Sequence, residues 1–185
     1  MSNARNLANF LGTSTTVPSG KVVTASLPTG SVLQVVSTTK ADTFTASSAS
    51  LVDITGLSVA ITPSASSSKI LIMVQCHIVG TDSNLRLQLL RGSTEIYKGS
   101  ASGSKGRGSM VGLYDSSTGT GAYGAGANHI HFLDSPSTTS ATTYKIQGSV
   151  LTGSATFYIG RTQYDGDNLN ATRVPSTITA MEIAG

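Results

Sequence analysis

The sequence predicts an all-β protein with a jelly-roll-like antiparallel β-sandwich. Through residues 31–185, apolar residues alternate with polar ones in short segments, and this period of two is typical of strands that bury one face. Clusters of Gly, Pro, Ser and Asn separate the segments at intervals of roughly 8–12 residues or longer, which is the spacing of a sandwich. The longest apolar run, residues 70–79, is rich in β-branched residues and too short to cross a bilayer as a helix.

Residues 2–12 differ from the rest, because their spacing predicts a short helix. Ser2 can act as its N-cap and Gly12 as its C-cap. A helix of this length is marginal alone in water, so its apolar side needs a partner surface. The apolar residues available for docking are Ala4, Leu7, Ala8, Phe10 and Leu11.

Residues 13–30 contain repeated Pro and Gly and are predicted to form an extended linker. We therefore divide the chain into residues 1–30, the N-terminal helix and linker, and residues 31–185, the β-sandwich domain. Strands are predicted at residues 32–36, 43–45, 51–54, 57–61, 70–79, 85–89, 95–98, 129–133, 144–150, 156–159 and 178–183. The segment Arg91-Gly92-Ser93-Thr94 predicts a hairpin turn. Residues 99–128 are rich in Gly and Ser, and a long loop region is expected there, interrupted at residues 110–114.

The central strand at residues 70–79 has two apolar faces. One face carries Ile70, Ile72, Val74, Cys76 and Ile78, and it is predicted to be a core face. The other carries Leu71, Met73, Gln75, His77 and Val79 and is too apolar to face water. A second layer of this chain or another copy of the chain should cover it. The predicted interface residues between copies are Leu71, Met73, His77 and Val79.

Composition argues against several classes of partner. Charged residues make up 11% of the 185 residues, less than half of the roughly 25% of typical soluble domains. The net charge of +3 comes with no Lys/Arg run beyond Lys105-Gly106-Arg107, so no nucleic-acid partner is expected. No signal peptide or transmembrane segment is recognisable, so no membrane partner is expected. The single cysteine, Cys76, is predicted to be a small buried hydrophobe.

The sequence does not predict an enzyme, and no cofactor is expected. There are two glutamates, Glu95 and Glu182, and the aspartates fall in turns without a spacing that implies acid–base chemistry. No nucleophile elbow, phosphate loop or zinc-protease motif is present. The segment Asp165-Gly166-Asp167-Asn168 lacks the later ligands of a calcium loop and is interpreted as a solvated turn.

Two features could bind ligands. His129 and His131 share one face of a strand, but two histidines are too few for a closed metal site in one chain, so no metal is expected unless copies meet at a symmetry axis. Tyrosines in the predicted loops combine a flat apolar face with a polar tip, which suits sugar or protein recognition. The candidate receptor-contact residues are Tyr114, Tyr123, Tyr164 and Asp165.

Several segments resemble parts of the tail-fibre and other structural proteins of marine tailed bacteriophages. They are MSNARNLANFLG at residues 1–12, GSVLQVVS at 30–37, VDITGLS at 52–58, ITP at 61–63, SSKIL at 67–71, LRGS at 90–93 and FLDSP at 132–136. The resemblance implies a virion location and a homotrimeric appendage with a jelly-roll head. The chain lacks the long repetitive shaft of a full tail fibre, so a short fibre, head fibre, knob or decoration protein is expected.

Two functional hypotheses follow from the residues and the resemblance. In the first, residues 1–30 anchor a homotrimer to another virion protein, a capsid or tail adaptor protein, and the β domain faces outward toward host surface polysaccharide. In the second, the protein is a capsid decoration or cement protein that lies flat over the junctions between capsid subunits. A virion location is common to both.

Overall fold

The computed structural model describes residues 27–81, 85–116, 123–124, 126–150 and 154–185. Within those ranges the fold is an antiparallel β-sandwich of two sheets, as predicted. The strands are β1 (Val32–Lys40), β2 (Phe44–Ala46), β3 (Val52–Ile61), β4 (Lys69–Gly80), β5 (Leu85–Arg91), β6 (Thr94–Ile96), β7 (Met110–Val111), β8 (Leu113–Tyr114), β9 (Gly126–Asp134), β10 (Thr142–Val150), β11 (Phe157–Ile159) and β12 (Ser176–Ile183). None of the described residues belongs to a helix that could cross a membrane. The helix predicted at residues 2–12, with its candidate anchoring residues, lies outside the described residues, as does the linker up to residue 26.

Sheet A is organised around β4. On one side of β4 lie β12 and then β11, which pair outward with β1 and β2. On the other side β9 pairs with almost the whole strand, from Ile70 to Ile78, and β8 continues at its end. The central strand of the sequence is therefore the central strand of the sheet.

Sheet B has the order β3-β10-β5-β6. β7 pairs with Arg86 and Leu87 of β5, on the edge of β5 that also pairs with β6. The hairpin between β5 and β6 turns at Gly92 and Ser93, as predicted, and Gly92 has φ +60°. Glycine adopts this left-handed conformation without steric cost.

The predicted core face of β4 is confirmed. Ile70, Ile72, Cys76 and Ile78 have no exposed surface. They meet the inner face of sheet B, where Leu57, Leu87, Leu89 and Ile146 are equally buried. Cys76 is a free buried thiol, and burial raises its pKa to about 12.

One strand replaces the two predicted at residues 51–54 and 57–61. β3 runs through both. Five residue steps of β3, from Asp53 to Ser58, lie opposite only two steps of β10, from Gln147 to Lys145. The bulge passes through Gly56, at φ +83°. It lets Ile54 and Leu57, three positions apart, both point into the core.

The outer side of β5 is buried at its centre. Gln88 and Leu90 lie on the outer side of sheet B, yet only 1% and 4% of their surfaces are exposed. The segment after β6 folds back over them: the Gln88 amide donates to Ile96 O and Ser109 Oγ. Part of the glycine-rich region at residues 99–128 is thus packed structure rather than free loop.

A buried polar network joins the two sheets at the end of β9. Arg91 Nη1 donates to both carboxylate oxygens of Asp134, at 3.0 and 2.9 Å, and the Tyr144 hydroxyl donates to Oδ2 at 2.7 Å. Burial, and then this hydrogen bond, raise the pKa of Tyr144 well above its usual value. The network ties β9 of sheet A to β5 and β10 of sheet B.

Candidate functional site: an uncharged sheet face and a tyrosine cluster

The outer face of sheet A is built from four adjacent strands in register. One row runs Val35, Met181, Leu71, Leu133, and the next runs Ser37, Thr179, Met73, His131. The third runs Thr39, Thr177, Gln75, His129, and the last contains His77 and Ala127. None of these residues is an acid, a lysine or an arginine. The nearest charged residue on β4 is Lys69, whose ammonium donates to Ser135 Oγ at the margin of the face.

Apolar side chains on this face remain partly in water. Val35 and Leu133, at the two ends of the first row, are 54% and 53% exposed. Leu71 and Met73 lie between them and are half-buried. Val79 differs, because it pairs with Leu113 of β8 and Tyr158 of β11 and has no exposed surface. Of the predicted interface residues, Leu71, Met73 and His77 therefore lie on an accessible face, whereas Val79 is already covered by its own chain.

All three histidines of the chain lie on this face. The amide nitrogen of Gln75 is 3.1 Å from Nε2 of His77, and it can donate there only when that ring nitrogen carries no proton. Burial, and then the nearby His129, lower the pKa of His77. Among the described residues no three His, Cys, Asp or Glu side chains form a group that could hold a metal ion.

Of the predicted receptor-contact residues, Tyr123 and Tyr164 are in contact, and Tyr114 lies at the Gly80 end of β4. The rings of Tyr123 and Tyr164 pack edge to face with their centres 5.7 Å apart. Tyr114 lies in β8 beside Gly80, and the carboxylate of the following Asp115 accepts from the backbone NH of Gly124 at 2.7 Å. We call Tyr114, Tyr123, Tyr164 and Asp165 the tyrosine cluster.

Two arginines, neither of which was predicted to belong to a site, form ion pairs with Asp165 of the tyrosine cluster. Asp165 accepts from Arg161 at 2.6 Å and from Arg173 at 2.8 Å. The Arg161 guanidinium also lies 4.1 Å from the centre of the Tyr158 ring, in cation–π geometry. The alternation of Tyr158 with Phe157 and Ile159 placed it on an outer face, but nothing local indicated that Arg161 would cover it.

The chain enters the sandwich at the opposite end of β4. Gly30 N donates to Ala184 O and Ala184 N donates to Ser31 O, so β1 begins beside the end of β12. A cavity of about 220 Å³ lies here, lined by Leu27, Leu33, Ser64, Ser68 and Ala184 among others. The 12 residues of β4 separate this end from the tyrosine cluster, a distance of roughly 36 Å.

Glu182 fastens this entry end and was not recognised from the sequence. It has no exposed surface, and its carboxylate accepts hydrogen bonds from Ser64 Oγ and Ser68 Oγ, each at 2.7 Å, and from Gln34 Nε2 at 2.6 Å. Burial alone would raise its pKa, but the hydrogen bonds from Ser64, Ser68 and Gln34 outweigh burial and hold the pKa below its usual value. The sequence did contain a sign that Glu182 would be buried, because it alternates in step with Ile178 and Ala180, which face the core from β12.

Comparisons with known proteins yield a weak structural likeness and no family. No protein-family model matches this chain, and no curated protein matches it. Among solved structures, the chain is similar to part of a protein in the structure of the infectious bursal disease virus Gx strain, with 16% identity and a TM-score of 0.36. The match covers 82% of this chain but only 37% of that longer chain. A likeness at this level does not assign a function.

Proposed function

We propose that this protein is a non-enzymatic virion structural protein, a homotrimeric short appendage of a phage particle. Residues 1–30 attach it to another virion protein, of the capsid or of a tail adaptor, and the β-sandwich projects outward. The tyrosine cluster at the far end contacts host surface polysaccharide. The proposal combines the sequence resemblance with the arrangement of the described residues.

The observation that carries the proposal is that the chain entry and the tyrosine cluster lie at opposite ends of the sandwich. The chain enters beside Ala184 at the start of β4, and the tyrosine cluster lies at the other end of the same strand. A domain held through its N-terminal segment would therefore present the cluster roughly 36 Å from its attachment point. A capsid decoration protein lying flat would gain nothing from this separation.

Self-association through the outer face of sheet A is supported by charge. The chain carries +3 overall, so two copies repel each other least where neither presents a charge. The face is up to four strands wide and up to seven residues long, which gives roughly 400 Å² in projection. Each partner in a standard interface contributes about 800 Å² of accessible surface, so the face is of the right order for a specific contact.

The tyrosine cluster offers the groups that bind sugars. The rings of Tyr114 and Tyr123 supply flat apolar surface for the CH faces of a pyranose. The carboxylate of Asp165 and the guanidinium of Arg173 supply an acceptor and several donors for neighbouring hydroxyl groups. Acidic and basic groups are nearly balanced here, which favours an uncharged polysaccharide.

The first test is the mass of the full chain in solution, together with its position on particles. Native mass spectrometry should give three copies, and a stable monomer would contradict the proposal. Particles labelled with an antibody against the β domain should show projecting density joined through a narrow base. Density spread flat across capsid subunit junctions would instead favour the decoration protein.

The second test compares two tyrosines of equal exposure. Tyr114 is 46% exposed within the cluster and Tyr97 is 44% exposed on the side of the sandwich. Tyr114→Ala should weaken binding to isolated host polysaccharide about tenfold or more, because one stacking surface is lost. Tyr97→Ala should leave binding unchanged, and equal losses in the two variants would place the contact elsewhere.

A further inference from the structure

The outer face of sheet A concentrates every histidine of the chain on a surface that is otherwise without charge. His77 lies on β4, and His129 and His131 lie on the neighbouring β9. His129 and His131 are exposed and His77 is half-buried. Histidine is the side chain whose charge normally changes between pH 5 and 8. Protonation of all three rings would place three positive charges per copy on this one face.

No carboxylate among the described residues faces these histidines from a strand of the sheet. Toward β12 and β1 the facing residues are Thr177, Thr179, Ser37 and Thr39. Charged groups lie at the margins of the rows: Lys69 at one end of β4, and Asp115 with the Arg161–Asp165 ion pair beyond the other end. The new charges would thus meet neutral strand residues, and they would repel their counterparts on a second copy.

The local geometry around His77 favours the neutral ring. The Gln75 amide nitrogen points at Nε2 from 3.1 Å, and a proton on that nitrogen would set two donors against each other. His129 lies two pairs along the ladder from the His77–Ala127 pair, on the same face, and its proximity lowers the pKa of His77 further. At His77 this geometry fits the neutral imidazole better than the imidazolium ion.

We infer that self-association through the outer face of sheet A is controlled by pH, with His77, His129 and His131 as the sensor and a second copy of this chain as the occupant. The inference rests on the proposed homotrimer. Contact between copies removes water from the rings and so requires them to be neutral. Below the titration range, the association constant should fall about tenfold per pH unit for each histidine that must lose a proton.

The test is the concentration dependence of mass at pH 8.0 and pH 5.0, measured by sedimentation equilibrium on the full chain. The wild-type chain should associate at least 100-fold more weakly at pH 5.0. The variant H77Q/H129Q/H131Q keeps polar side chains but cannot become charged, so its association should differ less than about threefold between the two pH values. Lys145→Gln removes a charge from sheet B and should retain the wild-type pH dependence. Circular dichroism at both pH values checks that each chain is folded.

The outcomes separate the two proposals. A chain that associates equally at both pH values overturns the pH control and leaves the homotrimer standing. A wild-type chain that is monomeric at pH 8.0 overturns the homotrimer and the pH control together. If the triple variant does not fold, the single variant His131→Gln, at an exposed position, should still reduce the pH effect. If neither His131→Gln nor His129→Gln reduces the pH effect, the two histidines of β9 do not contribute to the pH control, which contradicts the inference.

Discussion

The two outer faces of the sandwich differ in the charge that they carry. On sheet B, Lys145 reaches Asp53 at 2.9 Å, Gln147 donates to the same carboxylate, and Arg86 bonds to Ser149. On sheet A the rows consist of hydroxyl, amide, imidazole and apolar side chains. Charged residues hold water strongly and are depleted at the cores of protein interfaces. The difference indicates that the part of sheet B that its own chain leaves uncovered, on β3 and β10, stays in solvent, whereas the outer face of sheet A is able to lose its water.

The largest expected effect comes from placing a charge on sheet A. Leu71→Asp would bury an unpaired carboxylate at each contact between copies, so association should weaken about 1,000-fold, or about 4 kcal/mol. Ala60→Asp puts the same charge on the exposed face of sheet B and should leave association unchanged. Mass photometry over a dilution series measures both. Equal losses in the two variants would break the distinction between the faces.

The next effect concerns the network that joins the sheets. Asp134→Asn removes the charge that Arg91 and Tyr144 share, and it should lower the free energy of unfolding by about 2–3 kcal/mol in urea titrations. Asp167→Asn, an exposed turn position, serves as the control and should change stability by less than about 0.5 kcal/mol. A cost below about 1 kcal/mol for Asp134→Asn would mean that water replaces the lost interactions.

Glu182 should make the stability of the sandwich depend on acidity. Its folded pKa lies below the ordinary value of about 4.3, so its stabilising effect is complete above that pH and is lost as the pH falls through the folded pKa. Glu182→Gln should cost about 1–2 kcal/mol at pH 7, and the gap to wild type should narrow toward pH 3. Glu95→Gln, in a surface pair with Lys98, should show neither effect in the same pH series of urea titrations. A gap that stays constant with pH would exclude the ionised carboxylate as the cause.

The smallest effect is expected on the charged face itself. Asp53 has a lowered pKa because Lys145 and then Gln147 donate hydrogen bonds to its carboxylate, but the carboxylate is largely exposed. Asp53→Asn should therefore lower stability by less than about 1 kcal/mol, and by nothing measurable in 1 M salt. Thermal melts at low and high salt measure this, and a salt-independent loss would point to packing instead.

The local pattern of apolar and polar residues was sufficient to predict where the strands lie. It was not sufficient to predict which other segments cover their outward faces. Alternation placed the inward residues of β4 correctly, because a two-residue period is a property of the strand alone. It could not show that β8 and β11 would bury Val79, or that the segment after β6 would bury Gln88. Those contacts join residues far apart in the chain, and the glycine-rich segment that makes one of them carries little periodic signal.

In the candidate site, too, single residues could be picked out from the sequence but contacts between distant residues could not. Composition singled out tyrosines in the predicted loops, and their role in binding stays a prediction. The structure places the ring of Tyr123 against that of Tyr164 and Tyr114 in the short strand β8. The two arginines on Asp165 were missed, since an exposed arginine in a loop has no sequence pattern that distinguishes a partner from a solvated side chain. Glu182 was dismissed with Glu95 as a strand glutamate, although its inward phase separates it from the exposed Glu95.

The paired ends of β1 and β12 determine how the domain would bear a mechanical load. A pull applied through residues 1–26 reaches the sandwich at Gly30 and acts to peel β1 from the sheet edge, one hydrogen-bonded rung after another. Val32 pairs with Ile183 on the first rung, and Gln34 is bonded to the Glu182 carboxylate directly behind it. That carboxylate is also bonded to Ser64 and Ser68, so the force spreads into the loop before β4. The hydrogen bonds from Gln34, Ser64 and Ser68 to the Glu182 carboxylate therefore resist the separation of β1 close to the point where the force enters.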